Sequence, residues 1–146
     1  MFQLPSGFLA FNGFLALLLG LACGAPLGGA INRGAGEETV RAWRVAHSSL
    51  VNGGVMLLAV AAVLPHIALS GGGRLAASIL LSVAVYAFSF ALVFGACTGH
   101  RGLQKAAAAQ GNLVYYANLL GAVLSFLAVA LLVYGASVSL AASLRG

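Results

Sequence analysis

The chain has 146 residues, 62% of them hydrophobic and 6% charged, with seven basic side chains against two acidic ones. A soluble domain carries about 25% charged residues, so this composition cannot coat a water-facing surface; the length suits one domain. The net charge of +5 is a small excess held in the gaps between apolar runs. It reads as membrane orientation and excludes the basic stripe with interleaved aromatics of a nucleic-acid binder.

Residues 1–32 carry no charged side chain. About 20 apolar residues cross a hydrocarbon core as a helix, and the first span is expected near 8–27. No Lys or Arg precedes Arg33, so the run lacks the basic start of a secretory leader and is read as a retained helix. Gly20, Gly24 and Gly28 recur every four residues along it. Such a small-residue stripe lets two backbones approach in lipid, within one subunit or between subunits.

The first loop holds Arg33, Glu37, Glu38, Arg41 and Arg44, with the acids spaced to pair with Arg41 or Arg44. A second span is expected near 48–69, with His47 at its start. Gly71-Gly72-Gly73 predicts a tight turn that forces the third span, 75–94, antiparallel to it. Arg101 and Lys105 mark the third loop, and the fourth span is expected near 113–140, with its start at the interface. Strand-like alternation is missing from the sequence, which argues against a barrel. The expected fold is therefore all-α: one integral membrane domain, a four-helix bundle in the bilayer. Loops one and three hold Arg33, Arg41, Arg44, Arg101 and Lys105 against Arg74 and Arg145 on the other side. The positive-inside rule then puts both termini outside a bacterial-type inner membrane. Trp43, Tyr115 and Tyr116 fall where spans meet water, as an aromatic belt does.

Few side chains can carry chemistry. An ionisable group at a span is a functional hypothesis by default, and His47 has a ring nitrogen that can hold a metal or a haem iron; an interfacial histidine bound to water or a carbonyl is the alternative. Val51, Gly54 and Leu58 follow it by four, seven and eleven residues on the same helical face, where a flat macrocycle hung from His47 would lie close to Gly54. His66 is roughly 28 Å further along at 1.5 Å per residue, too far to share an iron within one subunit, and His100 reads as a loop residue. Cys23 and Cys97 show no zinc spacing and read as small apolar groups. No pair of carboxylates stands inside a span, so the relay of an ion-coupled transporter is missing from the sequence. The intramembrane polar set is Asn12, Asn52, Ser82, Tyr86, Ser89, Asn112, Asn118, Ser125 and Tyr134. Tyr86 and Tyr134 can donate to a substrate oxygen or tie helices together.

The stretch Ala42-Trp43-Arg44-Val45-Ala46-His47-Ser48, continuing through Gly54, Met56 and residues 59–65 to Pro65, resembles the styrene oxide isomerases, without a gap between His and Pro. Arg101-Gly102-Leu103 is a weaker second anchor. The resemblance implies a small four-helix membrane protein that assembles as a trimer. It implies haem b held at a subunit interface by His47, within the segment that begins at Trp43. Ferric iron would act as a Lewis acid on the oxygen of a small apolar epoxide, yielding an aldehyde. The family's Asn six residues after the His, and its acid and Tyr in the third helix, fall here on Gly53, Ala84 and Leu92. Asn52 and a tyrosine, Tyr86 or Tyr116, are the residues left to position the epoxide. Two other readings stay open: a haem protein of electron transfer, gas sensing or accessory function, and a structural membrane protein without cofactor.

Overall fold

The computed structural model of the protein describes residues 4–100, 102, 104, 105 and 108–145. Helices α1 (Leu4–Ala22) and α2 (Gly24–Asn32) together form the first apolar span. Helix α3 (Glu37–Val63), extended by a 3-10 turn at Leu64–His66, forms the second; α4 (Gly71–Thr98) and α5 (Ala109–Ser143) form the third and fourth. All four are long and apolar enough to cross a bilayer, so this is an all-α integral membrane protein. The expected anchor Arg101-Gly102-Leu103 lies largely outside the described residues, since only Gly102 is among them.

The first three spans differ from their expected limits for local reasons, and α5 runs three to four residues further at each end than the expected fourth span. The first is not one rod: Pro26 has no N–H for the Ala22 carbonyl and its ring crowds that carbonyl, and the helix breaks at Cys23. Helix α3 begins at Glu37, behind Gly36, because Glu37 and Glu38 suit the positive end of a helix dipole. Arg41 donates to Glu37 at 2.6 Å one turn on, an exposed pair that adds little stability. His47 therefore lies ten residues inside a helix rather than at its start. The three glycines at 71–73 form the first turn of α4 instead of the reversal, with Gly73 N–H donating to Ser70 Oγ at 3.1 Å. Residues 67–70 make the reversal, braced by Ala68 N–H donating to Ser139 Oγ at 2.7 Å and by Arg74 donating to the Ile67 carbonyl at 3.1 Å. Gly99 closes α4 with φ of 76°, a left-handed cap that favours glycine.

Helix α1 lies along α3, and α4 along α5; the two pairs join mainly through α3–α4 and α1–α4 contacts. The core draws on all four spans: Leu9 and Ala16 from the first, Leu57 and Ala61 from the second, Leu81 and Val85 from the third, Ala128 from the fourth. Outward faces stay apolar, as at Phe11, Phe14, Phe126 and Val133, because lipid is the solvent there. Helix α5 packs chiefly on α4, and a hollow remains between it and α3.

Candidate functional site

The close approach of α1 and α3 places Gly20 beside His47, whose Nδ1 is 2.8 Å from the Gly20 carbonyl oxygen. A carbonyl can only accept, so Nδ1 carries the proton and donates. In the neutral ring Nε2 then keeps its lone pair, and this carbonyl anchoring is how metal-binding imidazoles are oriented. The anchor depends on a glycine: a Cβ at Gly20 would stand 2.6 Å from Val51 N and 2.9 Å from the Leu50 carbonyl carbon. One turn on, a Cβ at Gly24 would meet the ring at an ordinary 3.5 Å. Among the described residues no three His, Cys, Asp or Glu side chains gather to hold a bare metal ion. A haem iron asks only one or two side chains of the protein, and a single oriented imidazole fits it.

The other residues expected around a macrocycle are engaged within the chain. Val51, Gly54 and Leu58 do share the face of His47, but α1 packs over these three, while His47 itself is only partly buried. A Cβ at Gly54 would be 2.6 Å from Leu17 N and 2.8 Å from Gly13 O, and one at Gly13 would meet Leu58 at 3.0 Å. The bare Gly54 serves close helix packing. Trp43 packs beside Cys23, Ala46 and Leu50 and borders a hollow of about 430 Å³ between the α1–α2 break, α3 and α4.

A larger cavity, about 530 Å³, lies between α3, α4 and α5. Its walls bring together Asn52, Gly53, Ala84 and Leu92, the positions the resemblance marked for substrate contact, from three separate stretches of sequence. Asn118 and Ser125 of α5 line it as well. They were in the intramembrane polar set but not among the expected site residues; their seven-residue spacing puts both on one face of a helix, the one signal available. A Cβ at Gly121, between them, would be 3.0 Å from the Phe88 ring, so this glycine lets Phe88 lie flat as a wall of the cavity.

Neither expected tyrosine lines the cavity. Tyr86 donates its hydroxyl to Asn12 Oδ1 at 2.7 Å, and Asn12 Nδ2 donates to the Phe8 carbonyl at 2.8 Å, a tie between α4 and α1. Tyr116 stands edge-on to Tyr115, with the Lys105 ammonium 5.9 Å from its ring centre. Tyr86→Phe strands the buried Asn12 carbonyl oxygen and is expected to lower stability by about 1–2 kcal/mol while leaving turnover in place; thermal unfolding in detergent beside an activity assay checks both.

Helix α3 presents His47 and the cavity to opposite sides. At about 100° per residue, Asn52 is roughly 140° around the helix from His47, and Met56 about 180°. His47 is not among the residues that line this cavity of its own chain. Among curated proteins none matches the chain. The family model described as styrene oxide isomerase matches residues 6–137. That match spans His47, its Gly20 anchor and every residue lining the larger cavity, and the chain belongs to the styrene oxide isomerase family.

Proposed function

We propose that this protein is a haem-b-dependent membrane isomerase that converts small apolar epoxides to carbonyl compounds. The observation that carries the reading is the 2.8 Å contact between His47 Nδ1 and the Gly20 carbonyl, which leaves Nε2 as the ligand for iron. Bound haem supplies a Lewis acid for the epoxide oxygen. The cavity does the rest. Leu57, Leu81, Val85 and Phe88 enclose the substrate in apolar surface and keep water from the carbon that loses its C–O bond. Isomerisation then moves a hydrogen to that carbon from its neighbour, so no atom is gained or lost and no residue has to remove a proton. The Asn52 amide holds the oxygen. An apolar epoxide reaches the cavity from lipid through the gap between α3 and α5.

The separate placement of His47 and the cavity on α3 supports a head-to-tail assembly, the homotrimer that family membership implies, in which each cavity is completed by the His47 side of the next copy. A cyclic assembly closes such a head-to-tail contact without leaving a free end. Arg33, Arg41 and Arg44 lie at the same end of the antiparallel bundle as Lys105, with Arg74 and Arg145 at the other. That distribution supports an inner-membrane orientation with both termini outside.

Subunit mixing tests the shared site. His47→Ala and Gly53→Leu, the latter filling the cavity, are each expected to abolish aldehyde formation from styrene oxide. Co-expressed, they recover a fraction of it, because some sites pair an intact histidine with an intact cavity. Mixtures that stay inactive although both variants assemble would sink the shared site. Colourless wild-type protein from haem-replete cells would sink the haem reading itself.

A further inference from the structure

We infer that Asn118 of α5 is a positioning residue that, with Asn52 of α3, holds the substrate or product oxygen from the opposite wall of the cavity; this rests on the isomerase reading of that cavity. The α4 wall, Leu81, Ala84, Val85, Phe88 and Leu92, offers no side-chain donor. Polar contacts must therefore come from α3 or α5. Asn52, halfway along a 30-residue span, makes no hydrogen bond among the described residues. Among the described residues Asn118 Nδ2 reaches only the Gly102 carbonyl, at 3.5 Å, beyond the usual N–H···O range. Ser125 is already committed, donating to the Ala122 carbonyl at 3.0 Å.

Two under-used carboxamides inside a membrane are costly unless something accepts from them. An epoxide or carbonyl oxygen is a pure acceptor with two lone pairs, and it matches N–H donors on either side of it. The amides bind the oxygen without exchanging a proton with it. They also give the cavity a preference for oxygenated aromatics over the parent hydrocarbons, which an apolar pocket alone does not have.

Acetophenone, which has the carbonyl but cannot isomerise, is the probe. Its C=O infrared stretch in the purified, haem-loaded protein is expected below its value in dodecane. Asn118→Leu moves it back towards that value and weakens binding about tenfold, the loss of one hydrogen bond, with the Soret band unchanged. Asn118→Gln, which keeps a donor, retains part of the shift and guards against a folding defect in the leucine variant. Ethylbenzene, lacking oxygen, binds all three proteins equally if the cavity is intact. Unchanged stretch and affinity in Asn118→Leu overturn the assignment. Loss of ethylbenzene binding along with acetophenone binding in both variants also overturns it, because Asn118 would then only shape the cavity. If styrene oxide yields no aldehyde while the acetophenone shift still depends on Asn118, the isomerase reading fails and the polar arm stands.

Discussion

His47→Ala is expected to come from haem-replete cells without the Soret band of the wild-type protein, and to form no aldehyde from an aryl epoxide. The physical reason is that, on the proposed reading, one nitrogen carries the whole attachment. The imidazole is already oriented by its bond to the Gly20 carbonyl, so little entropy is lost when Nε2 takes a ligand. Among the described residues no cluster of three or more His, Cys, Asp or Glu stands by to hold the metal instead. The loss should exceed about tenfold in haem affinity, ~1.4 kcal/mol or more. Because alanine suits a helix, the bundle should still assemble. Adding free imidazole to the variant should restore part of the absorption, which separates a missing ligand from a misfolded protein. A full Soret band in His47→Ala would refute the assignment.

The second large effect comes from two glycines that touch no substrate. Gly54→Ala and Gly20→Ala each drive a methyl into backbone atoms of the facing helix, at 2.6 Å from Leu17 N and Val51 N respectively. Backbone cannot rotate aside, so α1 and α3 must separate. Each change is expected to destabilise the protein by about 1–3 kcal/mol, seen as a lower unfolding temperature in detergent. Only Gly20→Ala also shifts the carbonyl that holds His47, so it alone should weaken haem binding out of proportion to stability. Gly28→Ala is the control: a Cβ there meets nothing within 4 Å, and neither property should change. Equal haem loss in the Gly54 and Gly20 variants would show that the carbonyl anchor has no role of its own.

The regular glycine spacing thus conceals three different environments. Gly20 is a backbone contact, Gly24 faces an imidazole and Gly28 is open, although a sequence treats them as one stripe. The tyrosines teach the same lesson. Tyr86 and Tyr116 were the side chains best able to position an epoxide, yet one is tied to Asn12 and the other stands beside Lys105 and Tyr115. Residue type says what a group can do; its neighbours decide whether it is free to do it.

By itself the sequence determined the solvent and the number of spans. Charge scarcity and run length are properties of single segments, and a segment meets hydrocarbon or water according to its own transfer free energy. Only the tertiary structure decided where α3 starts, which face of it is covered, and that Asn52 and Asn118 share a cavity opposite His47. Those facts depend on how one helix surface meets another. Such packing is set by the bare backbone at Gly20 and Gly54, and by the break that Pro26 imposes, across residues far apart in the chain.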